Sequence, residues 1–410
     1  MAPVGSFESL QAAIQGGADS VYFGIERLNM RSRSSKNFTT DDLKKIVQIA
    51  QTNNIKTYLT LNTIIYDQDI DLMKEIIDTA KENGISAIIA CDPAVINYAR
   101  SKNVEIHMST QANISNIEAV KFYSQFADVI VTARELTLNQ VAEISRTIKN
   151  EMVTGPAGEL IKIEMFIHGA LCMAISGKCY LSLHEMNASA NRGACLQICR
   201  RGYTVTDNET GAQIEIDHEY IMSPKDLWTI HFLNKILDSG VKILKIEGRA
   251  RSPEYVKTVC QCYKEAITSY FDGNYTEEKI NEWQERLKTV FNRGFWDGYY
   301  LGQKLGEWSH RYGSRATKRK IYIGKVTNYF TKIEVAEILP AANHLEVGDN
   351  IMVIGDTTGV VETKIEEIRV EHKNVNRAEQ SIPCSIPIST LVRRNDKVYK
   401  VVDPDKIKQQ

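Results

Sequence analysis

The first 270 or so residues of this chain alternate short apolar runs with amphipathic segments, and this alternation restricts the fold more than any other feature. Segments such as DDLKKIVQIAQTNN space their apolar residues by three and four, which is typical of helices that pack on a sheet. Repeats of strand and helix favour a parallel sheet. The strand-like runs are SVYFG (20–24), TYLTLN (57–62), AIIAC (87–91), EIHMST (105–110), DVIVTAR (128–134), KIEMFIHG (162–169) and KILKIEG (242–248).

An eighth strand would close these runs into a barrel. Either MAPVG at the start or YIMS at 220–223 can supply it, so we predict an α/β fold with a TIM-like (β/α) barrel. A doubly wound open sheet is the alternative, but no G-x-G-x-x-G follows a strand to support it. Two helix starts are predicted at Ser223-Pro224 and Ser252-Pro253, because each pair places serine before proline with an acidic residue close behind.

The sequence changes character in its last third. TEEKINEWQERLKTVF (276–291) predicts a connecting helix, and from about residue 318 short β-branched runs are separated by turns such as GDTTG. The predicted domains are a TIM-like barrel at 1–275 with a cysteine-rich segment inserted at 164–202, a helical and basic linker at 276–317, and a small C-terminal antiparallel β-barrel at 318–410.

Composition restricts the partners and the compartment. The formal net charge is -1, so no global field attracts the chain to nucleic acid or to a membrane. We see no signal-peptide pattern and no stretch of about 18 apolar residues, and we therefore expect a cytoplasmic protein without a membrane partner. Thiols stay reduced there, which favours ligation by clustered cysteines over disulfides. The oligomeric state is not indicated.

Four of the eight cysteines fall in one short glycine-rich window as C-x6-C-x15-C-x3-C: Cys172, Cys179, Cys195 and Cys199. Four thiolates suit a tetrahedral zinc site or an iron–sulfur cluster. The wide first spacing differs from paired zinc knuckles and leans toward a cluster. Glycines 169, 177 and 193 precede the cysteines closely, and we expect them to let backbone N–H groups approach sulfur. The remaining cysteines, and these four in the alternative reading, act as small buried hydrophobes.

Polar residues at the ends of the predicted strands form a candidate site. They are Asn62, Gln111, Arg134, His168, Glu247 and Arg249, and Glu164 lies four residues before His168 on the same strand. We assign His168, Glu164 and Glu247 as catalytic candidates, and the others as substrate-binding candidates. Each is weak evidence singly, and His168 is equally compatible with a buried structural role. A peptidase dyad of Cys172 and His168 also remains open.

A basic segment before the last domain, SHRYGSRATKRKIYIGK, is a further candidate. Its residues Arg315, Arg319 and Lys320 could contact RNA phosphates, whereas the alternative is a solvated interdomain linker.

Several stretches of the sequence resemble those of a known protein family. EMFIHGALCMAISGKCYLS (164–182) resembles the signature of peptidase family U32, the collagenase-like proteases. The stretches APVGSFESLQAAIQGGADSVYFG, HMSTQAN and KIEGRARSPEYV resemble other parts of the family pattern, so the resemblance covers nearly the whole chain. Family members usually carry a few more residues before the A-P-x-G opening that complete the first strand, whereas here only MAPVG is present, and this departure concerns the first barrel strand and not the cysteines.

Within the family, the layout is similar to members that convert the tRNA wobble uridine to 5-hydroxyuridine. This resemblance implies tRNA as partner, a 4Fe-4S cluster on the four clustered cysteines and prephenate as hydroxyl donor. We place such a small carboxylate co-substrate at Arg134 and Arg249, whose guanidinium groups bind carboxylates bidentately. The alternatives are a collagenase-like peptidase and a zinc-stabilised RNA-binding protein.

Overall fold

The computed structural model describes residues 1–33, 37–211, 213–214, 220, 222–303, 306–309 and 313–404. Within these residues, the strands that precede residue 300 are β1 Ala2–Pro3, β2 Ser20–Phe23, β3 Lys56–Leu61, β4 Ala87–Ala90, β5 Ile106–Met108, β6 Val129–Val131, β7 Lys162–Ala170, β8 Val205–Thr206, β9 Gln213–Ile214, β10 Asp226–Trp228, β11 Ile243–Ile246 and β12 Phe295–Trp296.

Strands β1 to β7 and β11 form a parallel barrel. Each of β1 to β6 pairs in parallel with the next strand, and β11 pairs in parallel with β7. The ring closes at Met1, whose amino group donates to the carbonyl of Leu244 at 2.8 Å and whose carbonyl accepts from the amide of Ile246 at 3.1 Å. The predicted TIM-like barrel is confirmed. MAPVG supplies the first strand, whereas Tyr220, Met222 and Ser223 belong to no strand and Ile221 lies outside the described residues.

The helices bury one face on this barrel and expose the other. Thr137 and Gln140, for example, form a capping box in which each side chain bonds the other residue's backbone amide. The helices are α1 Phe7–Gln15, α2 Asp42–Thr52, α3 Ile70–Glu82, α4 Pro93–Ser101, α5 Ile117–Ser124, α6 Leu138–Asn150, α7 Leu181–Met186, α8 Leu233–Asp238, α9 Pro253–Phe271 and α10 Glu277–Lys288. Among the described helices, none is long and apolar enough to cross a membrane.

Two short strands extend the barrel sheet where the sequence predicted other structure. The predicted helix start at Ser223-Pro224 is wrong: the backbone enters β10, which runs antiparallel to the end of β7, and the Asp226 amide donates to the Gly294 carbonyl at 2.9 Å. Strand β12 pairs in parallel with β10, so part of the segment predicted as a linker belongs to this sheet. The helix start at Ser252-Pro253 is confirmed by α9.

The last part of the chain forms an antiparallel sheet with its own apolar core, which includes Ile323, Val353 and Ile386. The predicted antiparallel domain is confirmed. In the described residues the larger sheet runs in the order β17-β16-β22-β13-β14-β21-β18-β19. The strands are β13 Arg319–Phe330, β14 Val335–Pro340, β15 Leu345–Glu346, β16 Asn350–Gly355, β17 Gly359–Lys364, β18 Ile368–Val370, β19 Lys373–Val375, β20 Arg377–Ala378, β21 Cys384–Pro387 and β22 Lys397–Val402.

This sheet packs on the barrel beside α1 and α9. The amide of Gln15 donates to the Thr358 carbonyl at 2.9 Å, and its oxygen accepts from the Val360 amide at 2.9 Å. Met352, Ile354 and Val360 are buried in the same apolar cluster as the barrel residues. The contact therefore lies on the helical flank of the barrel. We call the carboxyl ends of the barrel strands the mouth.

Candidate functional site

The cysteine-rich segment lies across the mouth of the barrel. It leaves β7 and contacts the loops that follow two neighbouring strands. After β3, the Ile64 amide donates to the Asn191 carbonyl at 3.2 Å, and Arg192 donates to Asp69 at 2.6 Å. After β2, the Ser32 hydroxyl donates to the Gly193 carbonyl at 3.2 Å. These contacts hold the cysteines over the end of the barrel where catalytic residues of such folds are found.

Two glycines make this close packing feasible. Gly177 has a φ of +77°, and a Cβ there would lie 2.3 Å from the side-chain oxygen of Gln111. Gly193 has a φ of +79°, and a Cβ would lie 2.3 Å from both the Asn29 carbonyl and the Ser32 hydroxyl. Side chains rarely adopt this backbone conformation. At these two positions glycine therefore allows the cysteine-rich segment to pack closely against the barrel loops.

The segment and the mouth enclose a cavity of about 120 Å³. The thiol-bearing residues Cys172, Cys179 and Cys195 line it. Cys199 lies outside the lining, but its thiol interacts electrostatically with the other three. Burial raises the pKa of Cys172, although the residue as a whole is exposed, and burial also raises the pKa of Cys199. The four cysteines that the sequence singled out are therefore brought to one place.

The chemistry of these donors fits an iron–sulfur cluster. Three free thiols line the cavity, that of Cys199 interacts with them, and four cysteine thiolates are the ligand set of a 4Fe-4S cluster. Burial favours the neutral thiol, so a bound group would have to supply the positive charge that holds the sulfurs as thiolates. Within the described residues, no three His, Cys, Asp or Glu side chains converge on a point where one metal ion could sit. A cluster spreads its ligands wider than one ion does, because each thiolate binds a different iron atom. The fit thus rests on the donor set and the shared cavity.

The other wall of the cavity carries four cations and one carboxylate. Arg31, Arg134, Lys245 and Arg249 lie in the lining with Glu247. Arg31 donates to Glu247 at 3.1 Å, and a nitrogen of Arg134 lies 3.9 Å from its other oxygen. Burial alone would raise the pKa of Glu247, but the three arginines outweigh burial and lower it. The carboxyl is therefore ionised at neutral pH, and excess positive charge remains for an anionic ligand.

Arg249 is buried, with 6% of its surface exposed. One of its terminal nitrogens donates to the side-chain oxygen of Asn29 at 3.0 Å and to the Thr60 hydroxyl at 2.9 Å. Burial lowers the pKa of this guanidinium to about 10, so it stays charged near neutral pH. Neutral partners hold Arg249 in position without neutralising it.

Asn62 and Gln111 also reach the cavity. Asn62 accepts from the Met30 amide at 3.3 Å and donates to the Ser109 hydroxyl at 3.4 Å. The side-chain oxygen of Gln111 and the Nε of Arg134 are buried and have no hydrogen-bond partner among the described residues. Buried polar atoms are normally satisfied, and two orphaned ones in a single cavity lining indicate a ligand.

Glu164 lies inside the barrel, beneath the cavity. Its carboxylate accepts from the Lys245 ammonium at 2.7 Å and lies 3.6 Å from His107. Burial would raise the pKa of Glu164, but Lys245 and His107 lower it to about 2. Glu164 does not line the cavity, and its connection to the cavity is the ion pair with Lys245, which does line it.

The structure does not bring His168 to the cavity. The register between β7 and β11 shifts between Lys245 and Ile246, and this irregularity breaks the alternation that would have kept Glu164 and His168 on one face. His168 instead packs among Tyr255, Tyr263 and Phe295. It is 1% exposed, and burial lowers its pKa to about 3, so the ring is neutral. A pairing with Cys172 at this cavity is not formed.

The three basic residues predicted to contact RNA also lie away from the cavity. The Lys320 ammonium forms an ion pair with Glu254 at 2.8 Å, and Arg319 begins β13. Arg315 lies against Gly294, where a Cβ would come 3.0 Å from its guanidinium. None of the three belongs to the described lining.

Residues 5–310 match the sequence model of peptidase family U32. The chain belongs to this family. The resemblance recognised around Cys172 and Cys179 is thereby confirmed.

Relatives of this U32 protein carry the names of two different activities. It is 61% identical over 400 residues to a protein named collagenase from Porphyromonas gingivalis, covering 98% of this chain and 97% of that one. It is 32% identical to tRNA hydroxylation protein P1 of Bacillus subtilis, covering 87% and 83%. The 23S rRNA 5-hydroxycytidine C2501 synthase of Escherichia coli is 33% identical, over 63% of this chain and 38% of that protein.

The sequence of this U32 protein does not indicate that some residues belong to the cavity. Arg31 lies in the loop after β2, and its ion-pair partner Glu247 is 216 positions away. Asn29 in the same loop holds Arg249. Lys245 could have been found, because a lysine in the middle of the apolar run KILKIEG needs a buried partner.

Proposed function

We propose that this U32 protein is an RNA hydroxylase that converts the wobble uridine of tRNA to 5-hydroxyuridine. The observation that carries the proposal is the cavity at the mouth, where three of the four clustered cysteines face a group of arginines. Relatives named as tRNA and rRNA hydroxylating proteins support the RNA substrate and the reaction class.

In this proposal Cys172, Cys179, Cys195 and Cys199 hold a 4Fe-4S cluster. When bound, the cluster would supply electron-transfer or Lewis-acid chemistry at the mouth. The hydroxyl donor is a small dicarboxylate such as prephenate. Arg134 and Arg249 would bind its carboxylates, since both lie in the lining and Arg249 has no carboxylate partner among its described hydrogen bonds.

Glu247 and Lys245 have supporting roles in the proposed site. The ionised Glu247 orients Arg31 and Arg134 and limits their mutual repulsion. Lys245 adds positive charge at the base of the cavity while Glu164 holds its ammonium from below. The unpartnered Gln111 oxygen is available to accept a hydrogen bond from a donor hydroxyl or a base N–H group.

Nucleoside analysis of tRNA tests the proposal. A strain that lacks the gene should lose 5-hydroxyuridine and its derivatives, and a plasmid copy should restore them. Unchanged 5-hydroxyuridine in the deletion strain, in the absence of a second gene of the same family, would refute the proposed reaction.

A collagenase-like peptidase is the second candidate, because the relative with 61% identity is named collagenase. The described cavity lining contains no histidine, so a Cys–His dyad is not assembled there. Gelatin cleavage by the purified protein that persists in Cys172→Ala and Cys195→Ala variants would favour a peptidase that does not depend on a cluster. Cleavage activity that separates from this protein and copurifies with another one would not support the peptidase.

A further inference from the structure

A second opening, which we call the arginine groove, adjoins the cavity. Its volume is about 580 Å³. Cys195 lines both the groove and the cavity, so the two openings adjoin at this residue of the cysteine-rich segment. The described lining contains four arginines, Arg33, Arg200, Arg201 and Arg293, and no carboxylate.

Neutral groups and one buried carboxylate hold two of these arginines in place. Arg200 donates to the Leu171 and Pro224 carbonyls, each at 2.6 Å, and so joins the later part of the cysteine-rich segment to the residues that follow β7 and those that precede β10. Arg293 lies 3.4 Å from Asp226, which Arg251 also contacts at 3.0 Å. Asp226 is thus shared between two guanidinium groups and cannot neutralise the groove.

The other two arginines face solvent. Arg33 and Arg201 are both exposed, and no ion pair in the described part of the chain involves either one. Exposed guanidinium groups without acidic partners bind phosphate in bidentate fashion at little desolvation cost. Because the net charge of the chain is only -1, an attraction for RNA has to come from a local concentration of positive charge such as this one.

We propose that the arginine groove binds the sugar–phosphate backbone of the RNA substrate next to the nucleotide that enters the cavity. The inference rests on the proposed function, which it extends by assigning the surface that holds the RNA. Sequence-specific enzymes act on RNA bases that are splayed out of single-stranded loops. A backbone held in the groove places such a base at the shared wall formed by Cys195. This assignment replaces Arg315, Arg319 and Lys320 as principal phosphate contacts.

Binding of tRNA by the intact protein tests the groove. The probe is unmodified tRNA with a fluorescent 3′ end, titrated by anisotropy over a range of salt concentrations. The test variant is R33Q/R201Q, and the control is R146Q/R369Q, which removes two exposed arginines on α6 and β18. We expect the test variant to bind about tenfold more weakly near physiological salt. The slope of log affinity against log salt should fall by about 0.7 for each phosphate that the variant no longer neutralises.

The lysine variant R33K/R201K separates charge from geometry. It should keep most of the salt slope and recover part of the affinity, because lysine retains the charge but lacks the planar fork. Equal unfolding midpoints for all variants show that the fold is intact. The groove assignment is overturned if R33Q/R201Q binds tRNA with the affinity and salt slope of the wild type. It is also overturned if a polyglutamate peptide competes with tRNA as strongly as a second RNA does.

Nucleoside analysis with the same variants separates this inference from the proposed function. If the wild-type protein binds tRNA through these arginines but restores no 5-hydroxyuridine in cells, the reaction is wrong and the RNA surface stands. If R33Q/R201Q both binds tRNA and restores 5-hydroxyuridine like the wild type, the reaction stands and the groove assignment fails.

Discussion

The guanidinium of Arg31 donates to the carboxylate of Glu247 at 3.1 Å, joining the loop after β2 to the end of β11. Both side chains are largely buried, with 24% and 14% exposed. Glu247→Gln removes the negative charge that faces Arg31, Arg134 and Arg249. We expect a loss of about 1–3 kcal/mol in the free energy of unfolding, measured by urea titration, because several guanidinium groups lose their counter-charge. A variant as stable as the wild type would contradict the role assigned to Glu247.

The buried pair of Glu164 and Lys245 should be sensitive to acid. The pKa of Glu164 is lowered to about 2, from about 4.5, by Lys245 and His107 against the effect of burial. A carboxyl group whose pKa is lower in the folded than in the unfolded protein stabilises the fold at pH values above the unfolded-state pKa. This stabilisation is lost as the pH falls from about 4.5 toward 2. Urea titrations between pH 7 and pH 3 should therefore show a decline that is weaker in Glu164→Gln.

Removing one partner of this pair should cost more than removing both. Lys245→Met alone leaves the buried Glu164 carboxylate with only His107 beside it, which costs up to about 3–5 kcal/mol. The double variant E164L/K245M should recover a large part of that loss, since neither charge remains. The measurement is a double-mutant cycle in urea, and losses that simply add would show that the two groups do not interact.

Arg249 should decide the affinity for a small dicarboxylate. Arg249→Lys keeps a positive charge but cannot contact Asn29, Thr60 and a ligand together, as the planar guanidinium can. We expect the dissociation constant for prephenate, measured calorimetrically with anaerobically purified protein, to rise at least about tenfold. Arg146→Lys on the exposed face of α6 is the control and should bind like the wild type. Equal affinities for both variants would remove Arg249 from the site.

Gly177 should affect metal content. Gly177→Ala places a methyl group 2.3 Å from the Gln111 oxygen at a φ of +77°, so the cysteine-rich segment must shift. Gly158→Ala is the matched control, because Gly158 has a φ of +78° but a Cβ there meets nothing within 4 Å. Both changes carry the backbone cost of roughly 1–2 kcal/mol. Iron per chain after anaerobic purification should fall in Gly177→Ala alone, and a fall in both variants would point to general destabilisation.

The sequence was sufficient to predict the barrel and the antiparallel domain because both depend on local periodicity. Buried parallel strands appear as continuous apolar runs, and the antiparallel strands as short β-branched runs between turns. The sequence did not predict strand β10, because that strand depends on a hydrogen bond between Asp226 and Gly294, which lies far along the chain. It did not predict the position of His168 either, because a register shift between β7 and β11 changes the face of the sheet to which this side chain points. The partnership of Arg31 with Glu247 was inaccessible for the same reason, since a loop conformation creates it.

The clustered cysteines were predictable as a group because they lie close together in the sequence. Their place over the mouth was predictable as well, since they follow a barrel strand whose carboxyl end faces the site. The arginine groove was not, because its arginines come from the loop after β2, the cysteine-rich segment and the region after α10.

The most direct test of the central claim is nucleoside analysis of tRNA from a deletion strain that carries plasmid copies of the gene. The wild type and Cys91→Ala, which changes a cysteine outside the cavity lining, should both restore 5-hydroxyuridine, whereas Cys172→Ala and Cys195→Ala should restore none. Equal expression of the four proteins is checked by immunoblot. Restoration of 5-hydroxyuridine by Cys172→Ala and Cys195→Ala would contradict a reaction that depends on the four-cysteine site.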